Sequence, residues 1–193
     1  MRIKLFFILS LSIALTGCAA IHTTQKIQTM PIVQTTPPGR IGLELAPATL
    51  GKSISLQQHL TVQHPGRTDE LDTVLEIDSH HLDLAGLMLG HRIMTIHYDG
   101  KILQTWRDPR LPPQISGQNV LEDIELTLWP VNVIRKALPT GWNIQSYKKQ
   151  RVIFLNKLPI ITINYPNGQN NINTVILKNL RYHYQLTIQS TNN

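Results

Sequence analysis

Two runs of strand-length segments, separated by a single helical stretch, constrain the fold of this chain more than any other sequence feature. The first run contains segments at 53–63, 71–78, 81–88, 91–98 and 101–106. Between residues 71 and 78 the odd positions are Leu, Thr, Leu and Ile, whereas three of the four even positions are acidic. Such a period of two is typical of strands with one buried face. Asp99-Gly100 tolerates the positive φ angles of a tight hairpin turn, so this run predicts an antiparallel sheet.

The second run contains strand-length segments at 142–147, 151–155, 158–165, 174–179 and 181–189. Between the two runs, Val120, Leu121, Ile124 and Leu128 have the spacing of an amphipathic helix over 118–128. Pro130 suits the first turn of a second short helix, which extends to residue 138. The whole pattern predicts a mostly β chain of the α+β class. We expect a curled antiparallel sheet or open half-barrel of about ten strands, with two short helices inserted midway.

The composition narrows the possible functions. The chain is 41% hydrophobic, which suits one globular domain, and it has one cysteine, which excludes an internal disulfide and a zinc ribbon. Its net charge of +6 is spread along the chain without a Lys/Arg block, so we expect no nucleic-acid partner.

The amino terminus has the pattern of an export signal. Arg2 and Lys4 precede an apolar run at 5–15, which is too short to span a bilayer comfortably, and the tetrapeptide LTGC ends at Cys18. This tetrapeptide resembles the lipobox of bacterial lipoproteins, which implies lipidation of Cys18 and cleavage before it. Residues 1–17 are then the signal, 18–42 a lipidated flexible tether rich in Thr, Gln and Pro, and 43–193 a periplasmic domain. Ala19 resembles the residue after the cysteine in cargo for the outer membrane, so the resemblance implies a lipid anchor on its periplasmic face.

No motif points to catalysis, and we expect neither an enzyme nor a cofactor. The chain lacks a GxSxG elbow, an HExxH pair and a phosphate-binding glycine loop. His80, His81, His91 and His97 fall on neighbouring predicted strands, but adjacent residues of a strand point to opposite faces, so we expect no metal site. The acidic stretch at 122–125 opens a helix, where carboxylates favour the positive dipole end, and is interpreted as a solvated face.

Four phrases of the sequence carry a resemblance to a known family. They are "SLQQHLTVQH", "HYDGKILQTWRDPRLP", "LEDIELTLWPVNVIRKALPTGW" and "NLRYHYQLTIQ", within the part of the chain from about Leu45 to Gln189. The chain resembles an uncharacterised family of Gram-negative outer-membrane lipoproteins, often encoded among fatty-acid-synthase-like genes of aryl-polyene clusters. That family is similar in architecture to the carriers LolA and LolB, whose open β-barrel wraps helices and shelters acyl chains.

The half-barrel interpretation places one set of apolar residues between sheet and helices. These candidate ligand-binding residues are Leu75, Ile77, Leu84, Met94, Ile96, Trp106, Leu121, Ile124, Leu128, Trp129, Ile134 and Phe154. Periodicity cannot distinguish a filled core from a ligand cavity, so both interpretations stay open at this point.

A second candidate surface is the segment Gly86-Leu87-Met88-Leu89-Gly90, at a predicted hairpin tip. Loop tips are normally polar, and an exposed apolar patch often contacts a membrane or a protein partner. The resemblance to LolB, which has an exposed leucine for lipoprotein delivery in the corresponding connection, implies such a contact for Leu87, Met88 or Leu89. The alternative is a bulged strand in which all three are partly buried.

These features together predict a lipoprotein that binds or transfers a hydrophobic ligand without catalysis. The ligand would be a lipid, a lipoprotein acyl chain or a polyene-type acyl product. The alternative is a non-binding scaffold that recruits biosynthetic or export partners to the membrane. A hydrolase or thioesterase is the third hypothesis.

Overall fold

The computed structural model describes residues 39–112 and 115–192 of the chain. Cys18, the predicted signal and most of the predicted tether lie outside these residues. A 3-10 helix at Pro47–Leu50 comes first. Ten strands and two helices follow: β1 (Ile54–His64), β2 (Arg67–Ile77), β3 (Leu82–Met88), β4 (His91–Tyr98), β5 (Leu103–Arg107), α1 (Gly117–Leu128), α2 (Val131–Ala137), β6 (Trp142–Tyr147), β7 (Gln150–Leu155), β8 (Leu158–Asn164), β9 (Thr174–Asn179) and β10 (Tyr184–Asn192).

The strands form one antiparallel sheet in the order β5-β4-β3-β2-β1-β10-β9-β8-β7-β6. The two runs of hairpins meet where the first and the last strand pair, so that Leu60 lies opposite both Leu71 of β2 and Ile188 of β10. The sheet does not close on itself, because β5 and β6 are its two edges. The predicted class is therefore confirmed: a mostly β chain with an open antiparallel sheet and two helices between the strand runs.

Two strands begin three or more residues away from their predicted first residue. Strand β2 begins at Arg67, four residues earlier than predicted, because its pairing with β1 continues to His64 at the turn. Strand β10 begins at Tyr184 rather than Arg181, because His183 has a φ of 55°. A positive φ interrupts the extended backbone, so the link from β9 forms a turn there.

Helix α1 has a defined beginning and end. The Ser116 side chain accepts a hydrogen bond from the backbone N–H of Asn119 (3.3 Å) and thereby caps the first turn. At the other end, the guanidinium of Arg151 donates to the carbonyls of Leu126 (2.8 Å) and Trp129 (2.9 Å), which have no acceptor role inside the helix. Within the part of the chain that the structure describes, no helix is long and apolar enough to cross a membrane.

Residues 39–50, here called the N-terminal strap, pack against α1. Ile41, Leu43, Leu45 and Leu50 of the strap are all at least 94% buried and belong to the hydrophobic core. The folded part of the chain therefore includes Ile41, which the sequence assigned to the tether at 18–42. A short segment with alternating apolar residues carries too little periodicity to be told from a linker.

The acidic stretch of α1 is not the solvated face that its sequence suggested. Glu122 and Glu125 are fully buried, and their carboxyl groups bind the backbone of the strap. Oε2 of Glu122 accepts the N–H groups of Ile41 (3.0 Å) and Gly42 (3.1 Å), and Oε1 of Glu125 accepts that of Leu45 (2.7 Å). The strap has no strand partner for these donors, so the oxygens of side-chain carboxyl groups satisfy them instead.

Candidate functional site

A partly enclosed cavity of about 140 Å³ lies between α1 and the concave face of the central strands. Its walls come mainly from β1, β2 and β10 on one side and from α1 on the other. The apolar lining includes Leu60, Val62, Leu71, Leu186, Ile188, Val120 and Ile124. One water needs roughly 10–15 Å³ of such space, so the cavity is far larger than a packing defect, and its apolar walls offer water few partners.

The cavity exists because α1 is buried on two sides. Residues Glu122, Glu125 and Trp129 face the strap, and the Trp129 indole donates a hydrogen bond to the hydroxyl of Thr49 (2.9 Å). The opposite side of the helix, which includes Ile124, lines the cavity. At 100° per residue these two sets lie on opposite faces of the helix. The strap side is closely packed, whereas the other side leaves a space above the sheet.

The structure divides the twelve predicted ligand-binding residues into three groups. Those that line the cavity are Leu75, Leu84, Met94, Ile124 and Leu128. Those that are buried in the core outside the cavity lining are Ile77, Ile96, Leu121, Trp129 and Ile134. The remaining two, Trp106 and Phe154, lie on the outside of the sheet.

The interpretation that Trp106 and Phe154 lie between sheet and helices is wrong, and strand parity is the reason. Trp106 pairs with Thr95 on the convex face and is 49% exposed, since the strand register directs its neighbours inward instead. Phe154 follows Ile153, which is fully buried, and therefore points to the other face, where it borders a shallow surface depression with Asn143. Sequence periodicity gave the strands but an incorrect face for these two side chains.

The predicted hairpin tip contains both a bulge and an exposed leucine. The pairing register of β3 with β4 shifts between Gly86 and Leu87. Leu87 and Met88 are half-buried, and Met88 lines the cavity. Leu89 is 94% exposed and has a φ of 51°, in the left-handed region. Of the three predicted contact residues, Leu89 alone projects fully from the sheet.

A cluster of polar side chains interrupts the apolar lining near one end of the cavity. Asp123 of α1, Tyr184 of β10 and His64 of β1 form it, and they are called the polar cluster below. The Tyr184 hydroxyl donates a hydrogen bond to Oδ2 of Asp123. The His64 ring lies beside the Tyr184 ring, with 5.9 Å between centroids. Three strand and helix elements thus contribute one polar group each to the same wall.

The polar cluster has unused hydrogen-bonding capacity. Among the described residues, neither Oδ1 of Asp123 nor Nε2 of His64 has a hydrogen-bond partner, although both atoms are buried. Burial raises the pKa of Asp123 to about 7, against the effect of the Tyr184 hydrogen bond. The pKa of Tyr184 is raised well above 10, chiefly by burial and then by the nearby Asp123 charge. Buried polar atoms without partners are rare in proteins and indicate a function or a missing partner.

The remaining polar groups of the lining mostly satisfy one another. The Gln58 amide donates to the Ser190 hydroxyl (3.0 Å) and accepts from the Thr73 hydroxyl (3.2 Å). At the β1–β2 turn, where Arg67 is the strand partner of His64, the guanidinium of Arg67 binds the carboxylate of Asp69 (2.7 Å). These pairs need no further partner, whereas the polar cluster has buried atoms without one.

The histidines that the sequence placed on neighbouring strands lie on the outer surface. His81 and His97 flank the carboxylate of Asp83, at 3.2 Å and 2.7 Å from its two oxygens. The described residues contain no group of three or more His, Cys, Asp or Glu side chains placed to hold a metal ion.

Sequence reasoning missed the polar cluster, although two of its members carried a signal. His64 continues the inward-facing alternation of Leu60 and Val62, and Tyr184 begins that of Leu186. A polar residue at an inward position of a strand is the pattern to look for, because burial of such a group needs a partner.

The protein is of the mostly β class, with an open antiparallel sheet that covers a helix and an internal cavity. The family model described as a protein of unknown function, DUF3261, matches residues 55–192, and the chain belongs to this family. The match spans all ten strands and both helices, except for the first residue of β1. No curated protein matches the chain.

Proposed function

We propose that this chain is an outer-membrane lipoprotein whose periplasmic domain binds an apolar ligand in the cavity and passes it on without catalysis. The observation that carries the proposal is the cavity itself, whose mostly apolar walls lie between α1 and the sheet. Apolar walls attract an apolar chain because its burial contributes roughly 25 cal/mol per Å² removed from water. A lipid, a lipoprotein acyl chain and a polyene-type acyl product all have this character.

The location in the proposal comes from the amino terminus. A basic pair, an apolar run and the LTGC tetrapeptide stand in the order of a lipoprotein signal that ends at Cys18. Lipid chains on that residue would hold the domain at the membrane, since two or more acyl chains give stable anchoring. The likeness to LolA and LolB is part of the same proposal and rests on an open antiparallel sheet that packs on helices.

Leu89 is the proposed point of contact with a membrane. A leucine in the left-handed region costs free energy that glycine or asparagine would avoid, and an exposed leucine gains nothing from packing. A residue that harms stability and packs against nothing is best explained by a function outside the domain. Met88, its neighbour, lines the cavity, so a ligand that leaves at this end would meet the same surface.

The test of the proposal is to fill the cavity. Val62 and Val74 are both half-buried valines on adjacent strands, but Val62 lines the cavity and Val74 lies on the convex face. We expect Val62→Phe to weaken binding of the neutral fluorescent probe N-phenyl-1-naphthylamine at least tenfold, and Val74→Phe to leave it unchanged. The complete chain with Cys18→Ser serves for the measurement, so that no attached acyl chain competes.

Thermal unfolding of both variants shows whether each one is folded. Equal probe binding by Val62→Phe and by the unchanged chain would contradict a ligand site in the cavity. Mass spectrometry of organic extracts from the purified protein adds the identity of the ligand, and a stoichiometric acyl or polyene molecule is the expected result.

The second candidate function is the scaffold, and the convex face of the sheet favours it. Trp106 is exposed there, and the register places Thr95, Ala85 and Val74 in a row beside it across β4, β3 and β2. Exposed aromatic side chains are enriched at protein interfaces. A scaffold predicts that Trp106→Ser abolishes association with a cluster-encoded protein while Val62→Phe has no effect on it.

A further inference from the structure

The polar cluster gives one wall of the cavity a hydrogen-bonding character that an apolar ligand alone does not use. Oδ1 of Asp123 and Nε2 of His64 are buried without partners in the described part of the chain. The Tyr184 hydroxyl is already committed to the other oxygen of Asp123. The orientation of the Asp123 carboxyl is therefore fixed, and its free oxygen remains available.

Thr127 adds a third unused group to the same wall. It lies four residues after Asp123 on α1, so the two side chains are neighbours on one helix face. Thr127 is 4% exposed, lines the cavity, and its hydroxyl has no hydrogen-bond partner among the described residues. Its backbone carbonyl is occupied separately, by the hydroxyl of Tyr165 (2.8 Å).

We infer that the polar cluster, together with Thr127, binds the hydroxyl end of an otherwise apolar chain. This inference rests on the proposed function, because it names the class of ligand that the cavity takes. A hydroxyl group donates one hydrogen bond and accepts up to two. It can donate a hydrogen bond to Oδ1 of Asp123 and accept one from His64 or Thr127. Each of these contacts then joins one donor with one acceptor.

Charged end groups fit the same wall less well. A carboxylate only accepts hydrogen bonds and would lie against the carboxyl of Asp123. The nearest buried cation, Arg181, is already paired with Glu122. An ammonium group would be attracted to Asp123, but its transfer from water into an apolar cavity costs far more than that of a hydroxyl. Arg181 also lies close enough to influence Asp123, and a second cation would be repelled by it.

Competition between ligands of equal chain length tests the inference. The complete chain with Cys18→Ser, loaded with N-phenyl-1-naphthylamine at pH 8.5, is titrated with 1-dodecanol, dodecanoate and dodecylamine. At this pH Asp123 is ionised, because burial raises its pKa only to about 7. We expect dodecanol to displace the probe at a concentration about tenfold lower than dodecanoate, which corresponds to roughly one hydrogen bond.

Two aspartates of the lining provide a matched pair of variants. Asp123→Asn keeps the shape and removes the charge, so dodecanoate should improve to within about threefold of dodecanol. Asp69→Asn removes a charge at the β1–β2 turn, where Asp69 is already bound to Arg67, and should leave the tenfold preference intact. Both variants change one atom of the side chain, and a gain in dodecanoate binding cannot come from misfolding.

Each outcome bears on one of the two claims. Equal displacement by all three ligands overturns the inference and leaves the proposed function in place, and so does tightest binding of dodecylamine. A preference that Asp69→Asn abolishes as fully as Asp123→Asn also overturns it, because the general charge of the lining would then be the cause. Failure of the unchanged chain to bind the probe at all contradicts the proposed function itself.

Discussion

Arg181 and Glu122 form an ion pair in which both side chains are almost completely buried, at 1% and 0% exposure. The same glutamate binds the backbone of the N-terminal strap, and Arg181 donates to the carbonyl of Gly39 (3.3 Å) and lies over the ring of Tyr182 (4.4 Å). One buried pair thus connects the N-terminal strap, α1 and the β9–β10 link. Loss of this ion pair should therefore destabilise all three segments.

Removal of one partner of this pair should destabilise the protein strongly. We expect Arg181→Met to lower the free energy of unfolding by about 3 to 5 kcal/mol, because Glu122 would remain as an unpaired buried charge. Urea unfolding followed by tryptophan fluorescence provides the measurement. The double variant Arg181→Met with Glu122→Gln should recover part of the loss. Arg110→Met, which breaks an exposed pair with Asp108, should change the midpoint little.

Stability should fall as the pH rises from 5 to 8.5. Burial raises the pKa of Glu125 from 4.5 to about 8, although the Leu45 N–H bond opposes this. The folded state therefore holds a proton that the unfolded chain releases near pH 4.5, so the contribution is full below that pH and is lost as the pH approaches 8. Asp123 acts in the same direction up to about pH 7.

Thermal midpoints across this range test the effect. In Glu125→Gln the decrease should be smaller, because the amide carries no charge at any pH and can still accept from Leu45. Glu76→Gln, at an exposed position, should retain the decrease of the unchanged chain. A midpoint that rises steadily toward pH 8.5 would be incompatible with the buried, protonated Glu125.

Leu89→Asn should make the protein more stable and less able to deliver its ligand. Asparagine tolerates the φ of 51° that leucine adopts at a cost of roughly 1–2 kcal/mol, and the turn would gain the favoured Asn-Gly sequence. The β7–β8 hairpin already has Asn156 at a φ of 49°, so Asn156→Leu is the converse variant and should lose stability.

Transfer of the fluorescent probe from protein to vesicles gives the functional readout for these two variants. We expect slower transfer from Leu89→Asn and an unchanged rate from Asn156→Leu, since only the first alters the proposed membrane contact. Transfer at the original rate by Leu89→Asn would remove the argument for this contact.

The N-terminal strap should behave as part of the folded domain. Leu43 is 2% exposed, and Leu43→Ala should cost about 3 kcal/mol through lost burial and the cavity that it leaves. Chemical denaturation is a suitable measurement, and Arg40→Ala, an exposed substitution in the same segment, is the control. Equal stability of the two variants would show that the strap contributes nothing to the fold.

Cys18→Ser should remove the protein from the outer membrane, because the lipidation and the cleavage that the lipobox implies both depend on this cysteine. Membrane fractionation of producing cells measures this, and the unchanged chain should remain with the outer membrane. Ala19→Asp is the companion variant: by the sorting pattern that the sequence resembles, it should stay anchored but lose its outer-membrane position. A soluble product from the unchanged chain would contradict the lipid anchor.

Local patterns predicted the elements well because strands and helices depend on near neighbours. Alternation located every strand, and the spacing of Ile124 and Leu128 located α1 to within one residue. The prediction of which face of the sheet a side chain occupies was less reliable, since a shift of one residue along the strand reverses that face. Trp106 and Phe154 were placed on the concave side for this reason.

The sequence by itself determined the class of fold and the order of the elements, and it predicts a lipobox at Cys18, because each depends on residues close together in the chain. Only the tertiary structure decided that Glu122 and Glu125 bind a strap some eighty residues earlier, and that His64, Asp123 and Tyr184 share one wall. The presence of the cavity is also a property of the tertiary structure. Whether an apolar side chain fills the core or lines the cavity depends on how α1 packs on the sheet, and that packing is a property of the whole interior.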